Sequence, residues 1–175
     1  MQYLILISSG AAMVAIIFWI ISVRRALIAM EKNVRNAMSQ IGVQIFSQCE
    51  LINSLLDLTN WYAAEECGRI LKTMKAGCLI TKDSLTEDAI KQEKIIAEAK
   101  ARIIEVAEGC PDLKSDPGYL KAMDAVDQYE KMIQTSMLIY NDSAARLNRA
   151  ITMFPDCMIS GILGFSAQRY FEEGG

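Results

Sequence analysis

The sequence predicts an all-α protein: an N-terminal transmembrane helix that continues into an antiparallel up-and-down helical bundle. Three observations carry this reading. No charged side chain occurs between Met1 and Val23. Beyond that point apolar residues recur at i, i+3 and i+4, the spacing of one helix face, and no proline interrupts them before Pro111. Alternating β-branched runs and hairpin turn pairs, the signs of strands, do not occur. The expected organisation is an anchor over residues 1–23 and a bundle over residues 24–175 that ends in a short tail. Roughly 150 residues are enough to bury one core.

The anchor comes first. The run YLILISSGAAMVAIIFWIISV is long enough as a helix to cross the apolar part of a bilayer, which takes about 20 residues. Its boundaries are set at Tyr3 and Val23. A cleaved signal would need a basic start and a small-residue cleavage site, and MQ and SVRRALIAM supply neither. Arg24, Arg25, Lys32 and Arg35 follow the span, with no charged side chain before it. The positive-inside rule therefore places a single-pass protein in the cell membrane with the bulk of the chain in the cytoplasm. Ser8, Ser9, Gly10, Ala11 and Ala12 are small enough to let two spans approach.

The first bundle helix needs no separate start. Val34, Met38, Ile41, Ile45, Cys49, Ile52, Leu55, Leu56, Thr59 and Tyr62 form one stripe, followed by Ile70, Leu71 and Met74. Anchor and first bundle helix are expected to be continuous, with a bend near Gly42 or Gly68. An unbroken helix carries the anchor's orientation outward, where a flexible linker would lose it. Ser84 with Glu87 fits a capping box for a second helix that reaches about Glu108. Ile95, Ile96, Ala99, Ile103, Val106 and Ala107 are its expected inward residues.

EGCPDLKSDPG closes that helix, and Asp116 before Pro117 opens a third. Leu120, Met123, Val126, Met132, Ile133, Met137, Tyr140, Ala144, Leu147 and Ile151 are expected to point inward until FPD stops it. MISGILGF has room for one or two helical turns, and SAQRYFEEGG reads as an extended, frayed tail.

Composition excludes several functions. The net charge of −3 offers no strongly basic surface for nucleic acid, and no nucleic-acid partner is expected. Residues 24 to 80 are mildly basic and residues 81 to 175 acidic, a gradient that suits a surface of anionic lipids. Histidine is absent, which removes the usual zinc ligands and general bases. Cys49, Cys67, Cys78, Cys110 and Cys157 form no C-x-x-C pair and are odd in number. They are expected to be small buried thiols in a reducing compartment.

EKNVRNAMSQIGVQI and ELINSLLDLTNWYAAEE resemble the opening of the LemA family, and PDLKSDPGYL and YNDSAARLNRAITMFPDCMISGILGFSAQRYFE resemble its middle and end. The matching positions include Asn36, Tyr62, Asp112, Tyr140, Asn141, Phe154, Pro155, Gly164 and Phe165. The resemblance implies an N-terminal span followed by an up-and-down bundle, and implies no biochemical activity. One branch of the family is similar to proteins of magnetosome membranes, which points toward organising membranes rather than chemistry. Other relatives are similar to outward-facing lipoproteins. This chain departs from the family pattern at Met38, Gly42, Ser47, Gln48, Asn53 and the run Met137-Leu138-Ile139. Charges common in the family are missing there, so an apolar patch covered by Phe46 and Leu138 is expected to face outward.

Candidate sites weigh toward structure. The Asp112, Lys114 and Asp116 loop reads first as turn and cap chemistry. Asp124, Asp127 and Glu130 share a helix face and offer oxygens to a cation, but without histidine or a glycine-bearing calcium loop they read first as a solvated face. Asn141 is a poor helix former whose amide is expected to tie part of the bundle together. No nucleophile–base pair, phosphate loop or metal spacing is present, so no catalytic residue, metal or cofactor is expected. The expected function is a membrane-anchored, noncatalytic scaffold that binds a protein partner or itself. The alternative is a small-ligand-binding or enzymatic bundle at the membrane surface, which would need polar groups converging on a pocket.

Overall fold

The structure, a computed structural model, describes residues 2–60, 84 and 86–171. Every regular element among them is helical, in agreement with the all-α expectation. Helix α1 spans Gln2–Asn60, α2 Thr86–Gly109, α3 Pro111–Lys114, α4 Pro117–Thr152 and α5 Asp156–Leu163. The chain divides into two compact units. Unit 1 holds Met1–Val34 and Asn141–Tyr170; unit 2 holds Arg35–Tyr140 and Phe171–Gly175.

The core of unit 2 follows from the stripe on α1. Met38, Ile41, Ile45, Cys49, Ile52, Leu55, Leu56 and Thr59 are all buried, each three or four residues from the next along the face, save the adjacent pair Leu55 and Leu56. Helix α2 adds Ala89, Ile96, Ala99, Ile103 and Ala107, one residue per turn or two. Helix α4 adds Tyr119, Val126, Ile133, Ser136 and Tyr140. Helices α2 and α4 run antiparallel. Lys100 reaches Asp127 and Glu130, while Glu108, further along α2, acts on Tyr119, further back on α4.

The connection between α2 and α4 is compact. Cys110 N–H donates to the Ala107 carbonyl at 3.3 Å, and α3 begins at Pro111 with Leu113 buried beneath it. The loop expected there thus contains a short helix. Asp116 starts α4 as its side chain predicted: Oδ1 accepts from the N–H groups of Gly118 at 2.7 Å and Tyr119 at 2.9 Å. These are donors that a helix start leaves without a partner. A Cβ built on Gly118 would stand 2.9 Å from that same Oδ1, so the second helical position is kept free of a side chain.

In unit 1, Val23, Leu27 and Val34 are buried on α1, and Ala144 and Leu147 on α4. Helix α5 follows the turn at Phe154 and Pro155, whose peptide bond is cis. Its last carbonyls are closed by Gly164 at φ 76°, a left-handed conformation that suits glycine. Gly164 and Phe165 N–H groups donate to the carbonyls of Gly161 and Ser160. The tail is extended from Phe165 to Phe171 and is held there; the rest of the tail expected to fray, residues 172–175, lies outside the described residues. Asn148 grips Gln168, and Phe171 is buried.

Several expectations need correction. Helix α1 runs through Gly42 as one element, as the continuous rod requires; Gly68, the other position considered for a bend, and Tyr62, Ile70, Leu71 and Met74 lie outside the described residues. Leu120 and Met132 are exposed rather than inward. Met132 immediately precedes Ile133, which takes the core position, and the methionine turns instead to the surface groove described below. Cys49 is not a free thiol but part of a disulfide, whereas Cys110 and Cys157 are free. Helix α2 is described from Thr86, with Glu87 and Asp88 in its first turn where the helix dipole favours acids; Leu85, between it and Ser84, lies outside the described residues.

Candidate functional site

The described residues of unit 2 form a groove between α1 and α4 of about 760 Å³. Val43, Met132 and Ile139 form its apolar part, and all three are largely exposed. Ser39, Gln44, Ser47, Thr135 and Ser136 add hydroxyls and amides, and Lys131 is its only charged side chain. The Gln44 Oε1 is buried without a hydrogen-bond partner. Such a groove matches apolar surface carrying a few hydrogen-bonding groups. It lacks the convergent acids and bases of an active site.

Phe46 and Leu138 face outward, as expected of an apolar patch, but lie beside the groove rather than in it. Both side chains are exposed, at 45% and 57%. Neither lines the groove, whose apolar members are their near neighbours Val43 and Ile139. One residue of helix turns a side chain by about 100°, so Leu138 and Ile139 serve different faces.

A second polar cluster joins α2 to α4. Lys100 Nζ lies 2.7 Å from Asp127 Oδ1 and 2.7 Å from Glu130 Oε2. Burial lowers the lysine's pKa, but the hydrogen bonds and charges of the two carboxylates more than offset this and leave it raised. Glu93 is raised as well, first by burial and then by the nearby charge of Glu130. Two of the three carboxylates considered for a cation are thereby engaged by a lysine, and Asp124 accepts from Gln128 at 2.8 Å. No group of three or more His, Cys, Asp or Glu among the described residues is placed to hold a metal ion.

The remaining sequence-selected residues are dispersed. Tyr3 is 82% exposed and Val23 buried, so the two ends of the span differ in their surroundings. Arg24, Arg25, Lys32, Arg35 and Asn36 are exposed along α1. Asp112 is exposed in the first turn of α3. Tyr140 is buried and meets Phe171 edge-on with ring centroids 5.0 Å apart. Burial raises its phenol's pKa. Asn141 is half-buried, Phe154 exposed, Pro155 in the turn before α5, and Phe165 half-buried beyond Gly164.

Two residues with clear roles were not singled out by the sequence. Asn148 donates from Nδ2 to the Gln168 carbonyl at 2.8 Å and to the Tyr170 hydroxyl at 3.0 Å, and accepts the Gln168 N–H at 2.8 Å. Ser160 Oγ lies 3.1 Å from the Ile151 carbonyl and fastens α5 to the end of α4. A polar residue inside the apolar period of a helix was the available signal for Asn148.

Helix α1 contains one segment long and apolar enough to cross a membrane. A family model described as LemA family matches residues 37–174, which begins one residue after Asn36 and leaves the apolar segment upstream of the match. No curated protein matches the chain.

Proposed function

We propose, for a chain that belongs to the LemA family, a role as a membrane-anchored, noncatalytic helical scaffold that helps organise membrane-associated assemblies. The observation that carries this reading is α1 itself. It starts as an apolar helix exposed to its surroundings from Ser8 to Ser22, and the same helix ends as a buried strut of unit 2. A chain that held only a soluble ligand would gain nothing from exposing such a surface to water. The groove's hydroxyls, amides and apolar side chains suit a protein surface, either a partner's or a second copy's.

The test has two steps. Alkaline carbonate should leave the chain in the membrane fraction. Affinity capture from native membranes, read by mass spectrometry, should then return a partner, or the chain itself. Release by carbonate overturns the anchor, and capture of neither overturns the scaffold.

Arg24, Arg25, Lys32 and Arg35 support a cytoplasmic position for the bulk of the chain. The disulfide at Cys49 favours a second reading, with the bulk on an oxidising side, because disulfides persist there and are rare in the cytoplasm. A membrane-impermeant maleimide decides between them on a Gln134→Cys chain in intact cells. Gln134 is exposed on α4, so labelling before permeabilisation places unit 2 outside, and labelling only afterwards places it inside.

A further inference from the structure

Unit 1 carries an apolar surface that its own core does not use. Met153, Phe154, Met158, Ile162 and Leu163 are 58%, 79%, 64%, 86% and 39% exposed. They sit on α5 and the turn before it. The helix is held with a fixed face inward. Ile159 and Ser160 are buried, Ser160 Oγ reaches the Ile151 carbonyl at 3.1 Å, and Gly164 turns the chain away at the far end. Met158 and Ile162, one turn apart, are thereby held outward. Asp156 is the only charged residue between Met153 and Ala167. Exposed arginines flank the stretch at Arg149 and Arg169.

The position of this surface within unit 1 matters as much as its chemistry. On α1, Val23 and Leu27 are buried, while every residue from Ser8 to Ser22 is exposed. Cover on α1 therefore stops at Val23. The only other chain in this unit is the stretch from Asn141 onward. The two helices join the unit at Val34 and Asn141. From there α1 takes about 17 Å to reach back to Val23, and α4 takes the same distance, about 17 Å, to reach Thr152. Each helix thus runs eleven residues into the unit, α1 to the point where its cover stops and α4 to its own end, and α5 follows α4 after a short turn. Charge agrees with this placement. Unit 1 carries six basic and three acidic side chains, a net of +3, in a chain whose total is −3.

We propose that α5 and the Met153–Phe154 turn lie in the headgroup boundary of the bilayer that α1 crosses, with Met158 and Ile162 inserted among anionic lipids. An apolar helix face flanked by arginines and held at the level where a span leaves the membrane is the arrangement of an interfacial helix. Basic side chains beside it gain from the negative surface potential of anionic lipids. This inference rests on the anchor reading, and its test separates the two.

The full chain, with Cys110→Ser and Cys157→Ser, is labelled with an environment-sensitive fluorophore at Ile162→Cys, Val14→Cys or Gln134→Cys. Label on the unsubstituted background is subtracted. Each protein is reconstituted in vesicles of phosphatidylcholine with phosphatidylglycerol, with nitroxides placed near the lipid glycerol or deep in the acyl chain. The probe at Ile162 should emit to the blue, be quenched best by the shallow nitroxide, and be quenched by aqueous iodide severalfold less than the probe at Gln134. The Val14 probe should respond to the deep nitroxide. A deep Val14 with an Ile162 as open to iodide as Gln134 overturns the proposal and keeps the anchor. Iodide protection at Ile162 without lipid quenching also overturns it, since a protein then covers the face. A Val14 open to iodide overturns the anchor and this inference together. Identical shallow quenching in phosphatidylcholine alone removes the anionic preference.

Discussion

Asn148 and Gln168, 20 residues apart, pair through both halves of the asparagine amide, with the Nδ2 donating and the Oδ1 accepting at 2.8 Å each. The side chain thereby treats the tail backbone as a neighbouring strand would. Asn148→Ala should remove both of these bonds and the one to the Tyr170 hydroxyl and cost about 1–3 kcal/mol, at about 1 kcal/mol per bond. Asn148→Asp keeps the acceptor and loses the donors, so it should fall between. Hydrogen exchange at the Gln168 amide should rise in both variants, and chemical denaturation in detergent should rank them.

Asp116 begins α4 by accepting two backbone N–H groups. Asp116→Ala should cost about 1 kcal/mol, the usual effect of losing such a cap, whereas Asp116→Asn should recover most of it. Denaturant midpoints at one pH give the comparison. An Asn variant as weak as Ala would show that the cap is not what this position contributes.

Glu93 and Lys100 share a pH sign but act in separate windows, both folded pKa values being raised. Burial and Glu130 hold Glu93's pKa above its ordinary value, so its ionisation opposes folding. Its contribution is fully present below the unfolded pKa and is lost as pH rises through the raised folded one. Glu93→Gln should therefore stabilise at neutral pH and flatten the decline on the alkaline side of the carboxylate range. Lys100's contribution is complete below the ordinary lysine pKa and disappears only as pH rises through its raised folded value. Both its carboxylate partners are substantially exposed, so Lys100→Met should cost only about 1 kcal/mol at neutral pH. Urea denaturation from pH 5 to 8 separates the two effects.

Gln48 is buried with its Oε1 unpartnered and its Nε2 reaching the Val126 carbonyl only at 3.4 Å. Gln48→Met should leave stability unchanged or raise it by up to about 1 kcal/mol, because it removes an unpaired polar atom from the core. Ile45→Ala, one turn earlier on the same face, should cost about 2–5 kcal/mol. Val43→Ala, on the exposed side, should stay within about 0.5 kcal/mol. Thermal melts of the three test the stripe's register directly.

The stripe from Met38 to Thr59 could be read in advance because a single helical period forces each apolar residue onto one face. Asp116 could be read because its cap acts within three residues. Met132 and Leu120 could not, since an apolar side chain beside the core face satisfies the same spacing. The groove was half legible: missing charges marked the region, but assigning Leu138 rather than Ile139 needed the helix's actual rotation. Asn148 and Gln168 pair across a turn, a helix and a second turn, a path without periodicity. The Cys49 disulfide left no trace in the spacing, because an odd set of scattered cysteines allows several pairings or none. The apolar residues of MISGILGF were visible, but whether they face the bundle or leave it depends on Ser160.

The edge-on contact of Tyr140 with Phe171 has a consequence for synthesis. Unit 2 takes the aromatic partner of Tyr140 from a part of the chain made only after all of unit 1. During translation the Tyr140 ring must wait, uncovered, until Phe171 clears the ribosome. A stalled nascent chain that ends short of that position would expose this ring to chaperones, while the helices around it are already complete.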